Sequence, residues 1–222
     1  MKRKEKLVTG NIYHVLNKSI AGYNIFPSDE HYEHIIQIIR FFSAGEELPR
    51  FSRFISQAKN QGKRFEEYLD EQTNSRRPVD IIAYCIMPTH FHLLVRQVED
   101  DGVSNFIGNV SGSYARGFNA WQKRRGFLWE GRFKNVPVRT DEQLLHLTRY
   151  IHLNPVTAGI VEKPEQWKYS SYKEYIEPKS VDYPLCKYGD LFDMSPSDYQ
   201  IFVEDQKDYQ RELSKLRKLT LE

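Results

Sequence analysis

Asp80-Ile81-Ile82-Ala83-Tyr84-Cys85-Ile86-Met87 and His90-Phe91-His92-Leu93-Leu94-Val95-Arg96 are two largely apolar runs of strand length, separated only by Pro88-Thr89. So tight a break, with a proline in it, reads as an antiparallel hairpin or a bent strand. Alternate side chains of a strand point the same way. His90 and His92 therefore project from one sheet face with Cα atoms ~6.5–7 Å apart, and Phe91 and Leu93 point into the opposite layer. Two imidazoles on one face can ligate a single divalent cation, or one of them can simply donate to a backbone carbonyl.

Working outward, Asn11-Ile12-Tyr13-His14-Val15-Leu16-Asn17 alternates and is β-prone, so it reads as a first strand with His14 as an ordinary strand histidine. Ser28-Asp29-Glu30 offers a helix N-cap ahead of Ile35, Ile36, Ile38, Ile39 and Phe42 at helical spacing. Residues from about 43 to 78 are polar and charged, with a helix around Phe54 to Tyr68, and look like an insertion or a mobile connection. Ser104 can cap a helix to about Lys123 with the apolar stripe Ile107, Val110, Tyr114, Phe118, Trp121, and Gly126 suits the stop. Arg132 to Val138 is a short strand; Asp141 to Ile151 is a helix with Asp141 at its positive end, closed by Asn154-Pro155, near which His152 falls. A late charged helix is expected from about Tyr199 to Leu219. Strands and helices interleave, and the hairpin argues for an α+β layer, an antiparallel sheet with helices on one face.

The chain of 222 residues is 40% hydrophobic and 14% aromatic, which supports a large core and excludes disorder over its whole length. No apolar run approaches the ~20 residues of a membrane span, and the basic start Met1 to Lys6 has no apolar segment behind it, so no secretory signal is expected. Cys85 and Cys186 are far apart and form no CxxC, which argues against a zinc ribbon or a disulfide scaffold and suits a reducing cytosol. The net charge of +2 says little, but its distribution says more. Tyr114 to Arg149 holds eight basic and three acidic residues; Glu177 to Glu222 holds seven basic and ten acidic. A basic centre of this kind is compatible with a polyanion-binding core or with a solvated helix face.

Tyr114 lies on the apolar stripe of its helix, so core packing is its default reading. If that helix packed on the histidine face, the phenol would instead reach a cation held by His90 and His92. A tyrosine with pKa ~10 needs such help to act as a nucleophile at neutral pH.

Met87-Pro88-Thr89-His90-Phe91-His92-Leu93-Leu94-Val95 resembles the HUH motif of single-tyrosine DNA transposases. The resemblance continues through Gly112 to Asn119, Gly126 to Lys134, Arg149-Tyr150-Ile151-His152-Leu153-Asn154-Pro155-Val156-Thr157-Ala158-Gly159-Ile160-Val161 and Trp167 to Ser171. His-x-His alone is a weak signal, but the ordered set of blocks, over roughly residues 8 to 175, is similar to the REP-associated tyrosine transposase branch. The resemblance implies a ferredoxin-like or RRM-like antiparallel sheet with the histidines on a central strand. It also implies cleavage and rejoining of single-stranded DNA beside hairpins through a 5′-phosphotyrosine, with no need for ATP. By this carry-over Tyr114 is the nucleophile, and His90 and His92 hold Mg²⁺ or Mn²⁺.

Family members often carry Gln or Asn as a third ligand one helical turn after the tyrosine, and here that position is Phe118, which cannot ligate. Asn119 is ~140° round an ideal helix and is taken as the third ligand, with Gln122, water or a mere capping amide as the alternatives and His14 a weaker candidate still. Arg116, Lys123, Arg124, Arg132 and Lys134 are expected to meet phosphates, with Arg125 beside them. Two other readings stay open: an RRM-like nucleic-acid-binding module without catalysis, and a metal-dependent hydrolase that uses water. The organisation expected is a catalytic domain over 1–176, carrying the charged insertion, and a C-terminal extension over 177–222 of unassigned role. The partner implied is single-stranded DNA with REP-like hairpins, met in the cytoplasm by a monomer or homodimer.

Overall fold

The computed structural model describes residues 6–45, 49–73 and 77–205. Among them the chain runs β1 (Ile12–Lys18), α1 (Asp29–Ala44), α2 (Phe51–Asn60), α3 (Phe65–Gln72), β2 (Val79–Met87), β3 (His90–Gln97), α4 (Gly102–Trp121), β4 (Lys134–Val138), α5 (Asp141–Thr157), α6 (Tyr172–Ile176) and α7 (Pro196–Glu204). The strands form one sheet in the order β2-β3-β1-β4, with each neighbouring pair antiparallel. Two β-α-β crossovers interleaved in this way give the ferredoxin-like topology.

β2 and β3 pair as the expected hairpin, with a register shift between Ile81 and Ala83. β1, β2 and β3 are buried nearly end to end because both sheet faces are covered. β4 is an edge strand with its residues half-exposed, and it tolerates Pro137 because one side of an edge needs no ladder donor. The outer edge of β2 is covered: Ile86 N donates to Tyr169 O (2.9 Å), Ser171 N to Tyr84 O (3.0 Å) and Lys187 N to Ile81 O (2.7 Å).

α1 and α4 lie together on the face that carries Phe91, Leu93 and Val95. Ile35, Ile38 and Ile39 of α1 and Ile107, Val110, Tyr114 and Phe118 of α4 are buried between them, whereas Trp121 ends the stripe half in solvent. α4 begins at Gly102, ahead of the expected cap Ser104. Only glycine fits there, since a Cβ would stand 2.2 Å from Pro78 O.

α5 crosses the opposite face, so the expectation of helices on one face is corrected to a sheet covered on both. Thr140 caps α5 by accepting from Gln143 N. Asn154-Pro155 does not end it; the helix continues to Thr157 with Pro155 inside its last turn. Near a helix end a proline removes one hydrogen bond without breaking the whole run.

The stretch over 43–78 carries two helices rather than a bare connection. Phe51 and Phe54 of α2 and Phe65, Tyr68 and Leu69 of α3 are buried; Phe51 and Phe54 pack edge to face with Phe41 of α1, and Phe65 packs edge to face on Phe54. The extension beyond Glu177 docks as far as it is described. Arg149 of α5 lies 4.3 Å under the Phe202 ring and donates to Phe202 O, while His152 meets Tyr199 OH at 2.7 Å and Ser171 Oγ at 2.7 Å. The rest of the late charged helix lies outside the described residues. Both cysteines are free and buried, and no helix of the described residues is long and apolar enough to cross a membrane.

Candidate active site

β3 alternates as its sequence requires. His90 and His92 share one face with ring centroids 4.9 Å apart. On β1, His14 stands on the same face, because it pairs with Leu94 two residues from His92. Its Nε2 lies 3.0 Å from His92 Nδ1 and the two rings stack at 5.2 Å. His90 Nδ1 is 2.9 Å from Thr89 Oγ1, and His90 Nε2 is buried with no hydrogen-bond partner among the described residues.

Burial, reinforced by the Lys18 charge, lowers the His90 pKa to about 4. Burial first, then the neighbouring His14, His90 and Lys18, hold His92 well below its usual range. Both rings are therefore neutral near pH 7, the form that ligates a cation.

The aromatic side chain that meets these rings is Tyr150 of α5. Its centroid is 5.7 Å from His92 and 6.0 Å from His14, edge-on to both. Asn154 follows one helical turn later on the same helix face, is buried, and donates from Nδ2 to Tyr150 O (3.1 Å). Leu16 on β1 sits beside His92 and carries Lys134 of β4 as its other neighbour, so Lys134 shares the histidine face. Lys18 pairs with His90 and does the same.

Tyr114 is elsewhere. It lies on α4 across the sheet, 0% exposed, with its hydroxyl donating to Ile25 O (2.5 Å) and its ring 4.9 Å from Phe26. Burial, helped by Tyr32, drives its pKa far above the phenol range. The expectation that α4 packs on the histidine face is thus corrected; the sheet separates this phenol from both imidazoles. Asn119 is also on α4, where its Nδ2 donates to Gly126 O (3.0 Å), the capping role already weighed for it.

Among the basic candidates, Arg116, Lys123, Arg132 and Lys134 are exposed. Arg124 is half-buried, lies 5.7 Å over the Tyr23 ring and donates to Phe127 O (3.1 Å). Arg132 and Lys134 line a cleft of about 200 Å³ with Lys18 and Glu130.

Sequence reasoning missed Tyr150, Asn154 and Lys18. The signal for the first two was present: a tyrosine followed four residues later by an amide. It was masked by reading Asn154-Pro155 as a terminator.

The buried, partnerless His90 Nε2, two neutral imidazoles and an amide oxygen at Asn154 make a donor set that suits one divalent cation. No group of three His, Cys, Asp or Glu that could hold a metal ion converges among the described residues.

A ferredoxin-like sheet with a His-x-His pair opposed by a helical tyrosine and amide is the arrangement the HUH resemblance implies, supplied here by a different tyrosine. Residues 50–154 match the family described as Transposase IS200 like. The chain is 32% identical over 124 residues to a Haemophilus influenzae protein classed with the REP-associated tyrosine transposases, covering 51% of this chain and 69% of that one. It is 26% identical over 120 residues to the REP-associated tyrosine transposase of Escherichia coli K12, covering 54% and 68%. The fold is similar to that of a REP-associated tyrosine transposase solved bound to a REP hairpin, with a TM-score of 0.51 and 18% identity over 88% of this chain and 95% of that one. The chain belongs to the REP-associated tyrosine transposases of the IS200-like family.

Proposed function

We propose that this transposase cleaves and rejoins single-stranded DNA beside hairpins with Tyr150 as nucleophile. The observation that carries this is the Tyr150 ring standing against His92, with Asn154 one turn further along α5. The Tyr150 hydroxyl releases its proton to solvent as its oxygen attacks the phosphorus, a Tyr–O–P bond forms, and the P–O3′ bond breaks. The 3′ oxygen leaves and takes a proton, and the phosphodiester energy is kept in a 5′-phosphotyrosine. Attack by a 3′ hydroxyl on that linkage reverses the step without ATP.

His90, His92 and Asn154 would hold the divalent cation, Mg²⁺ or Mn²⁺, which when bound polarises a phosphoryl oxygen and favours in-line displacement. His92 must present Nε2 to a cation, so its Nδ1 keeps the proton and donates to His14 Nε2. Thr89 accepts from His90 Nδ1 in the same way. Lys18, Arg132 and Lys134 receive the DNA backbone beside the histidines. Arg116 on α4 and Lys123 and Arg124 past its end are further phosphate contacts. Histidines, tyrosine and amide meet within the fold of a single chain, so this reading has the site assembled by a monomer, and the two free buried cysteines suit the cytoplasm. Residues 1–176 form the catalytic unit and 177–205 brace α5 through Arg149 and His152.

The test is incubation of labelled hairpin-containing single-stranded DNA with the protein and Mn²⁺, read on a denaturing gel. A covalent adduct is expected from the parent and from Tyr114→Phe, and none from Tyr150→Phe. An adduct that survives Tyr150→Phe, or cleavage with no adduct at any stage, overturns the reading.

A further inference from the structure

Phe127 is 86% exposed, the highest exposure of any large hydrophobic side chain among the described residues. Its backbone is nevertheless held on every side. Gly126 O accepts from Asn119 Nδ2 (3.0 Å), Phe127 O from Arg124 Nη2 (3.1 Å) and Leu128 O from Ile20 N (2.9 Å). Gly126 turns the chain at φ 103°, a backbone region that disfavours any side chain. A fixed loop therefore thrusts an aromatic ring into water with no packing return. Across from it, Tyr23 is 50% exposed and its ring lies under the Arg124 guanidinium at 5.7 Å. Trp129 and Trp167 are half-buried and anchored, Trp129 Nε1 donating to Ser111 O (2.9 Å) and Trp167 Nε1 to Ile86 O (3.1 Å) with each ring packed on the core, and Trp121, 49% exposed, is packed against His31 and His34 of α1.

Both loops belong to the end of the sheet where His90 emerges. The loop bearing Tyr23 leaves β1 at Lys18, the pairing partner of His90. The loop bearing Phe127 is tied to the same place, since Glu130 N donates to Lys18 O (2.9 Å) and Trp129 bridges Ser19. Between Trp121 and Lys134 the sequence carries five basic residues and one acid, Glu130. Rigid exposed rings within a cationic surface fit a partner with flat apolar faces on an anionic backbone. A protein partner would call for a broader contiguous apolar area than two rings and Ile20 provide.

We propose that Phe127 and Tyr23 form a stacking platform for unpaired bases of the DNA substrate, at the sheet end where His90 emerges and on the α4 side of the sheet, with Lys123 and Arg125 taking the flanking phosphates. This rests on the reading of the chain as a single-stranded DNA transposase and adds where the unpaired segment is gripped.

The test is equilibrium binding of fluorescently labelled hairpin DNA with single-stranded flanks to the full chain. Phe127→Ala weakens binding by about 5- to 150-fold, the range of one aromatic stacking contact, and Phe127→Trp restores it. The slope of log affinity against log salt stays unchanged in Phe127→Ala and flattens in Arg125→Ala. An abasic scan of the flanks then identifies the base: its removal weakens the parent and leaves Phe127→Ala at the affinity it already has. Binding by Phe127→Ala and Tyr23→Ala within twofold of the parent overturns the proposal. Equal abasic losses in parent and variant overturn it too. Adduct formation read in parallel keeps the two ideas apart, since Tyr150→Phe tests the nucleophile whatever Phe127 does.

Discussion

The two faces of the sheet each hold a buried tyrosine on a helix, and they use it in opposite ways. Tyr114 is 0% exposed and Tyr150 is 3% exposed, so burial does not tell them apart. Their company does. Around Tyr114 stand Phe26, Phe118 and Trp129, with the single imidazole of His34 at 6.2 Å, and its hydroxyl is spent on a main-chain carbonyl at Ile25. Around Tyr150 stand the imidazoles of His92 and His14, with an amide one turn away. A phenol becomes a reactive group through polar neighbours that can hold charge beside it, and a ring wedged among aromatics stays a structural one.

The sharpest way to break this contrast is to remove each hydroxyl in turn. Tyr150→Phe is expected to lower adduct formation by at least about 1,000-fold, as loss of a nucleophile does. Tyr114→Phe should leave the adduct in place and cost only about 1 kcal/mol of stability, the worth of one hydrogen bond, read as a small fall in Tm.

The next largest effect sharpens the histidine face. His14→Leu removes the acceptor for His92 Nδ1, and Mn²⁺ affinity measured by calorimetry should fall about 10- to 100-fold. His14→Gln, which can still accept, should recover most of it. If His14→Leu binds Mn²⁺ as tightly as the parent, the hydrogen bond does not orient the ligand. Smaller again is Lys134→Ala, which takes one cation from the histidine face. Its DNA affinity should fall a few-fold, with the salt slope reduced by about 1.

The opposite face supplies the smallest effect. His34 on α1 packs against Phe51, Tyr114 and Trp121, and burial, helped by the charge of His31, lowers its pKa to about 4. In the unfolded chain it titrates near ~6.5, so between those values the unfolded state binds the extra proton. Stability is therefore full above about pH 6.5 and falls as pH drops toward 4. The contribution is roughly 1 kcal/mol after allowing for solvent screening. Tm measured across this range should fall less steeply in His34→Phe than in the parent; identical slopes would assign the loss to other groups.

Much of this molecule is legible residue by residue. Period two places His90 and His92 on one face whatever surrounds them, and β3 obeys it. The stripe Ile107, Val110, Tyr114, Phe118 defines a helix with one buried side, and α4 has it. The charged stretch over 43–78 conceals its packing because Phe51, Phe54 and Phe65 are spread among polar residues, and only contact with Phe41 makes them a cluster. His14 looks like any strand histidine until the register with β3 brings it to His92.

Local sequence determined which segments are strands and helices and which side chains share a face, because those follow from backbone periodicity within a few residues. The assignment of helices to faces was decided only by the chain as a whole. Right-handed crossovers from β1 to β2 and from β3 to β4 send α1 and α4 to the same side of the sheet. α5 follows the last strand, has no strand to return to, and covers the side left open. That difference in connection gives Tyr150 rather than Tyr114 to the histidines.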